Sequence, residues 1–434
     1  MSWKQITGDL HKADAMILPP YVKAALRRVR AKIPTEINVR AKAYISDEAD
    51  YFRGFQDNGR SKYSVETSLE YNLDNTSIHI NGEYNDDGNG NNNINLDGSY
   101  LSQDFANWSL YVGSVERWWG PGRETTSILS TNARPMPSIG IRRVEPKPFQ
   151  TKWLSWMGPW SAELFVSKMD KNRYIPEPIF VGMRLNFEPV ENFEVGLTRT
   201  LMLCGRDRPC GLKQWINGLI AIGDLDNTGP VAEQPGNQIA QIDLSYSVSI
   251  NDNINLKLYA EGAAEDIHIV FPFRYSRLIG TSIFGPIGDN GDQFRLTAEY
   301  TDTFGSLAWF FGENKKGVIY NHFIYTDGYR FYNQSIGQNL DSNSQSFSIN
   351  ATLAKTNGVV FSIKYRNMLI NSENNTRNRL SLSREKINSL TLGTAIQTQI
   401  GKFTLSGRVM DNDINTPLKN EYNFRGELAW EIEF

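Results

Sequence analysis

From Ile37 onward the hydrophobic positions recur with a period of two. Ile37, Val39, Ala41, Ala43 and Ile45 alternate with Asn38, Arg40, Lys42 and Tyr44. The same beat runs through Val65-Thr67-Leu69-Tyr71-Leu73, Ile242–Ile250, Phe294–Tyr300, Val359–Tyr365 and Leu390–Ile396. Connectors rich in Asn, Asp and Gly separate the runs, as at 85–93, 251–253 and 356–358. Alternation bounded by turn residues predicts β-strands, and roughly eighteen to twenty-one of them fit between Ile37 and Phe434 at about 9–11 residues each. Irregular polar stretches at 205–238 and 264–292 read as surface loops. Residues 1–36 differ. Pro19-Pro20 leads into YVKAALRRVRAK, with Val22, Leu26 and Val29 at helical spacing and Pro34 as the stop, which predicts a small N-terminal helical element. A second short helix is expected over Trp3 to Lys12.

Alternation does not say which face meets what: a soluble sandwich turns its apolar face inward, a membrane barrel outward to lipid. The last strand separates the two. Phe424, Gly426, Leu428, Trp430, Ile432 and Phe434 share one face, and Asn423, Arg425, Glu427, Ala429, Glu431 and Glu433 the other. In a sandwich this would be an exposed apolar edge, an aggregation hazard; in a closed barrel it pairs with the first strand. A terminal Phe on an alternating strand also resembles the assembly signal of bacterial outer-membrane proteins. The expected fold is therefore all-β, a transmembrane antiparallel β-barrel of about eighteen strands, with 1–36 as a helical plug or periplasmic element and 37–434 as the barrel.

Composition excludes some classes and leaves this one open. The longest apolar run, Leu307 to Phe311, is far short of the ~20 residues a membrane helix needs; mean hydropathy of −0.43 by itself reads as soluble, and a transmembrane β-barrel stays open because its strands are only half apolar. Lys and Arg (45) nearly balance Asp and Glu (48), so no basic nucleic-acid surface is implied. Met1 to Lys32 shows no apolar core before a small-residue cleavage site, so an outer-membrane destination would place an export leader ahead of this numbering. The two cysteines, Cys204 and Cys210, bracket a Gly/Arg/Pro loop and are expected to form a disulfide. His11, His79, His268 and His322 have no metal-ligand spacing, and no metal or cofactor is expected.

Residues 116–160 break the alternation. Trp118-Trp119-Gly120-Pro121-Gly122 must turn sharply, because Pro removes a ladder donor and the glycines free the backbone. Arg117, Arg123, Arg134, Arg142 and Arg143 lie near Glu116, Glu124 and Glu145. The segment is read as a plug inside the barrel.

The run Trp118 to Gly122, followed by Leu129, Ser130, Asn132, Ala133, Arg134, Pro135 and Pro137, resembles the signature of the Wzi family of outer-membrane capsule-assembly proteins. Further similarity lies in Trp153-Leu154 with Gly158-Pro159, in Pro235 to Gln238, and in IYTDGYRFYNQSIG from Ile324 to Gly337. The resemblance implies an eighteen-stranded barrel with a small periplasmic helical bundle. It also implies a lectin-like role: anchoring or organising exported capsular polysaccharide without catalysis. The Cys204/Cys210 loop has no counterpart in the signature, and the helical part is short.

A protein that holds polysaccharide needs flat aromatic faces for pyranose rings and Arg or amides for hydroxyls and carboxylates. Trp118, Trp119, Arg123, Asn132, Arg134, Tyr329, Arg330 and Tyr332 have that chemistry and form the candidate carbohydrate site. Phe271, Phe273, Arg274, Tyr275 and Arg277 are a secondary candidate surface. The same residues also suit a lumen ion-pair network or an interfacial aromatic girdle. The expected partners are surface polysaccharide and outer-membrane lipid, with the chain monomeric. A porin or oligosaccharide channel would use the same charged lumen, and a glycan hydrolase could draw on the many carboxylates. No G-x-S-x-G, Walker A or H-E-x-x-H motif occurs.

Overall fold

The computed structural model describes residues 10, 13, 18–33, 36–51, 53–55, 60–86, 92–220, 236–265, 275–288, 290–306, 317–414 and 422–434. The expected helix over Trp3 to Lys12 (Leu10 apart), Phe271, Phe273, Arg274 and the Leu307–Phe311 run lie outside the described residues. The strands are β1 (Ile37–Ser46), β2 (Tyr63–Asn72), β3 (Thr76–Asp86), β4 (Asn92–Asn95), β5 (Tyr100–Phe105), β6 (Trp108–Gly113), β7 (Ser138–Arg143), β8 (Trp160–Lys168), β9 (Ile179–Val190) and β10 (Phe193–Leu203). They continue as β11 (Gly236–Ser249), β12 (Asn255–Glu265), β13 (Tyr275–Ile287), β14 (Asp292–Ser306), the short hairpin β15 (Arg330–Phe331) and β16 (Gln334–Ser335), β17 (Gln345–Ala354), β18 (Val360–Ile370), β19 (Glu385–Thr398), β20 (Gly401–Met410) and β21 (Asn423–Glu433).

Except for the β15–β16 hairpin, every strand pairs antiparallel with its neighbours in chain order. β4 and β5 both pair with β3, end to end, and are two halves of one wall strand. The ring closes where β21 pairs with β1, Arg40 opposite Glu433 through Ser46 opposite Glu427. The result is an eighteen-stranded closed barrel. Among the described residues the barrel sheet has no open edge for another chain to pair with.

Burial is inverted relative to a soluble sandwich. Val65, Leu69, Ile80, Leu101, Leu197, Leu244, Leu258 and Leu296 are exposed, while Ser64, Ser68, Asn81, Ser102, Thr198, Asp243, Glu261 and Thr297 are buried. An apolar belt outside a polar lumen suits lipid as the outer solvent. The face of β21 carrying Phe424 and Leu428 points outward, and Arg425 is buried inside.

One expected loop is in part a wall. Tyr275–Ile287, inside the polar stretch 264–292, is strand β13. Its alternation is blurred because two inward positions are not polar: Leu278 is fully buried and Gly280 makes room for a ring. Three inward aromatic rings lie over a glycine directly across the ladder: Tyr111 over Gly140, Phe165 over Gly182 and Tyr259 over Gly280. A Cβ at these glycines would sit 2.2–2.3 Å from ring or hydroxyl atoms. Gly182→Ala should therefore destabilise by about 1–3 kcal/mol through overpacking. An unhindered glycine would instead gain stability from the loss of unfolded-chain freedom. A fall in the temperature at which the folded barrel loses its compact gel mobility checks the sign.

Connections 73–75, 106–107, 191–192, 250–254, 355–359 and 399–400 are short and lie at one end, the turn end. The long connections 47–62, 114–137, 169–178 and 371–384 lie at the other, the loop end. A long connection at the turn end, 144–159, projects Trp153, which is 88% exposed. Helix α1 (Pro20–Arg30) starts with proline in its first turn and carries Arg27, Arg28 and Arg30 in its last, where cations favour the helix dipole. It sits at the turn end: Gln293 donates to the Tyr21 carbonyl at 2.7 Å, and Lys32 pairs with Glu433 at 2.7 Å.

Candidate functional site

The segment between β6 and β7 folds into the lumen as a hairpin. Trp119 N–H donates to the Leu129 carbonyl at 2.8 Å, the Trp118 indole N–H to the Gly122 carbonyl at 2.8 Å, and the Thr126 hydroxyl to the Trp119 carbonyl at 2.7 Å. Two wall carboxyl groups take up the backbone donors that the Pro-Gly turn leaves over. Glu261 on β12 accepts Gly122 N–H at 3.1 Å and Ser127 N–H at 2.7 Å. Glu299 on β14 accepts Arg123 N–H at 2.7 Å and Glu124 N–H at 2.8 Å. The backbone must lie against the wall for this. A Cβ at Gly120 would come within 2.3 Å of Glu261, and one at Gly122 within 2.3 Å of the Thr125 carbonyl. The glycines of the motif thus answer a close approach of backbone to barrel.

The connection between β14 and β17 locks onto this hairpin. Ser130 N–H donates to the Ile336 carbonyl at 2.8 Å and the Asn132 amide to the Ser335 carbonyl at 3.0 Å. Tyr320, Tyr325 and Tyr329 are almost wholly buried. Their hydroxyls donate to the carbonyls of Ser127, Cys204 and Ile128 respectively. Around them Trp119, Ile128, Leu129, Phe165, Phe180 and Ile336 form an apolar core inside the barrel. The Cys204–Cys210 disulfide holds the loop whose carbonyl receives Tyr325. The connection between β1 and β2 adds a third layer. Arg53 and Arg60 donate to the Thr131 carbonyl at 3.1 and 2.8 Å, and Phe55 packs edge-on against Trp118 at 5.2 Å.

The eight candidate residues divide by burial. Trp119, Asn132, Tyr329 and Arg330 are buried, and each has internal partners. Trp119 meets Phe165, Asn132 accepts from Arg53 N–H, the Tyr329 oxygen accepts the Thr200 hydroxyl at 2.9 Å, and Arg330 forms a two-bond pair with Asp341 at 2.9 and 2.6 Å. Trp118 and Arg123 face interior cavities. Trp118 lines one of about 560 Å³ with Tyr111, Arg117 and Glu163. Arg123 lines one of about 660 Å³ that also touches Tyr21, Val22 and Ala25 of α1, on the turn-end side of the hairpin. Arg134 and Tyr332 come together at the loop end. Arg134 pairs two-fold with Asp97 at 2.8 and 3.0 Å, and its guanidinium lies 5.3 Å from the Tyr332 ring centre. Tyr332 is 52% exposed. Of the secondary surface, Tyr275 and Arg277 are β13 wall residues, and Arg277 pairs with Asp302 at 3.1 Å.

Several residues had no signal in the sequence. Asp97 is aimed at Arg134 by the break between β4 and β5, where Asn81 donates to the Asp97 carbonyl at 2.8 Å and Gly98 takes a positive φ of 89°. Tyr174, 72% exposed, sits beside this face: its N–H donates to Asp327, which also pairs with Arg379 at 3.4 Å. Glu261 and Glu299 read in sequence as ordinary inward polar positions.

Two groups on the inward-folded segments have displaced titrations. Burial raises the Glu124 carboxyl, but Lys364 and Arg366 on β18 outweigh it and hold it at about 2. Burial, with a smaller contribution from Arg208, lowers His322 to about 4. A neutral imidazole is what the site needs, because Nδ1 accepts Ile324 and Tyr325 N–H at 3.1 and 3.2 Å.

A family described as "Capsule assembly protein Wzi" matches residues 36–426. A relative from Klebsiella pneumoniae, described as an uncharacterized 55.8 kDa protein in the cps region, is 31% identical over 173 residues, 40% of this chain. That match spans 34% of the relative's own length. Among solved structures, an Escherichia coli protein is described as Wzi, an outer membrane protein involved in group 1 capsule assembly and a carbohydrate binding β-barrel. It superposes with a TM-score of 0.85 at 22% identity, over 100% of this chain and 92% of that one. With the family match running through nearly the whole barrel, this chain belongs to the Wzi capsule assembly family and is an outer-membrane β-barrel.

Proposed function

We propose that this protein is a lectin-like component of the bacterial surface that binds exported capsular polysaccharide and anchors it at the loop end of the barrel, as a monomer and without catalysis. The observation that carries the reading is the filled lumen: the connections 114–137 and 317–344, joined by Met169 and Ile175 of 169–178, share a hydrophobic core, which disfavours solute passage. Above that core, Tyr332, Arg134 and Tyr174 offer ring faces and a guanidinium where the long connections lie, the end that outer-membrane barrels turn to the outside. The carboxylates here are engaged, Asp97 by Arg134, Asp327 by Arg379 and Asp170 by Arg173, which favours binding over glycan hydrolysis. Family membership and the carbohydrate binding described for the E. coli structure point the same way.

The test is the division of capsular polysaccharide between cell pellet and medium. A deletion strain should shift intact polymer into the medium with total synthesis unchanged. Complementation with Tyr332→Ala/Arg134→Ala should restore the barrel but not retention, with affinity for the polymer lowered about tenfold for a loss of ~1.4 kcal/mol. Wild-type partition in the deletion strain would overturn the reading. Full retention by the double variant would move the site elsewhere.

A further inference from the structure

The charges inside this barrel are paired almost throughout. Arg184 meets Asp243 at 2.8 Å, Arg117 meets Glu163 at 2.8 Å and Arg425 meets Asp50 at 2.6 Å. The cavity of about 660 Å³ on the turn-end side of the plug departs from that pattern. Arg123 from the plug hairpin and Arg295 from β14 both line it. Among the described residues neither guanidinium has a carboxylate partner or a side-chain hydrogen bond. Arg123 lies 5.8 Å from the ring centre of Phe55, and Arg295 lies 5.3 Å from that of Phe284. The two acids on the same lining are already engaged: Glu124 by Lys364 and Arg366, and Glu427 by Tyr44 and Ser406.

Arg123 is exposed and Arg295 half-buried, so both guanidiniums reach the water of the chamber with their forks free to take up an anion. A guanidinium presents a planar fork of N–H donors that matches a carboxylate or phosphate. The rings of Phe55 and Phe284 beside the guanidiniums offer apolar faces to the same space. Hydroxyl and amide side chains such as Thr297, Asn350 and Ser362 complete the lining with groups suited to sugar hydroxyls. The geometry points to a second binding site in this chamber, separate from the loop-end face, that takes an anionic saccharide through a carboxylate or phosphate group bridging Arg123 and Arg295. The site lies between plug and helix α1, so its ligand enters from the turn end. The inference goes beyond the surface-binding reading and does not rest on it.

Calorimetric titration of the full chain in detergent tests it, with three probes: a uronic acid oligosaccharide, the same oligosaccharide with its carboxyl groups reduced, and inorganic phosphate. The acidic oligosaccharide should bind to Tyr332→Ala/Arg134→Ala, which isolates the chamber from the loop-end face. In that background, adding Arg295→Gln should weaken binding at least tenfold, and Arg295→Lys, which keeps the charge, should weaken it less. Compact gel mobility reports that each variant is folded. The carboxyl-reduced probe should not compete. Competition by phosphate at the same site would assign phosphate as the favoured anion, and its failure to compete would assign the carboxylate. Equal binding with and without Arg295→Gln, or no binding by either anionic probe, would overturn the proposal. Because the loop-end pair is absent in this background, a failure of the surface reading leaves these outcomes unchanged.

Discussion

Replacing Glu261 and Glu299 together with alanine should unseat the plug and turn a closed barrel into a conducting one. These carboxyl groups accept four backbone N–H groups from the Gly122–Ser127 stretch. Pro121 and the two glycines keep the turn out of any regular ladder, so these four N–H groups rely on the wall carboxyl groups. Each buried donor left without a partner costs about 1–3 kcal/mol, so the double variant loses several kcal/mol of plug docking. The wall itself retains its ladder hydrogen bonds, since neither side chain takes part in β12 or β14 pairing. The barrel should still fold and keep its compact gel mobility, while planar-bilayer recordings show conductance that wild type lacks. Glu261→Gln/Glu299→Gln keeps a carbonyl oxygen at each position and should close most of the channels again. A double alanine variant as closed as wild type would show that the hydrophobic core alone seats the plug.

Acid should loosen the inward-folded segments in two separable steps. His322 has a folded value near 4, below its ordinary 6.5, so the unfolded segment binds a proton where the folded one does not. Its contribution is fully present above about pH 6.5 and is lost as pH falls through 4, a change of about 3 kcal/mol. Protonation also removes the lone pair that accepts Ile324 and Tyr325 N–H. Glu124 behaves in the same direction at lower pH. Its folded value is about 2 against an ordinary 4.5, so its contribution is intact above pH 4.5 and is lost as pH falls towards 2. The hydrogen-exchange protection of the 317–344 connection, taken relative to the intrinsic exchange rate at each pH, should therefore fall between pH 6.5 and 4. The hairpin at 114–137 should follow only below pH 4.5. His322→Gln, which retains an acceptor that does not titrate, should abolish the first step and leave the second. A single acid transition unaffected by that substitution would refute the assignment to His322.

The fold was legible because β-structure writes itself locally. Side chains alternate across a strand whatever the strand packs against, so the beat from Ile37 to Ile45 is visible without knowing the barrel. Tyr275–Ile287 was missed where the alternation fails, at Leu278 against the plug and Gly280 beneath Tyr259. The functional site was legible as a composition and not as a surface. The tryptophans, arginines and tyrosines of the two motifs have one chemistry in sequence, yet Trp119 is buried beside Phe165 while its neighbour Trp118, on the same cavity, is only half-buried. Arg330 is buried against Asp341, and Tyr332, two residues on, is half exposed.

By itself the sequence determined that this chain is a membrane barrel with an interrupted, turn-rich insertion and a short helix before it. It also carried the resemblance to a capsule assembly family, through motifs whose order and spacing lie in local stretches of chain. Tertiary structure alone decided which residues of those motifs face solvent. The distance along the chain is the reason: Gly122 meets Glu261, 139 residues away, Glu124 meets Arg366, 242 residues away, and Arg123 shares a chamber with Arg295. No periodicity encodes such encounters. They exist only once eighteen strands have closed and the connections have folded inward to satisfy their donors and charges against the wall.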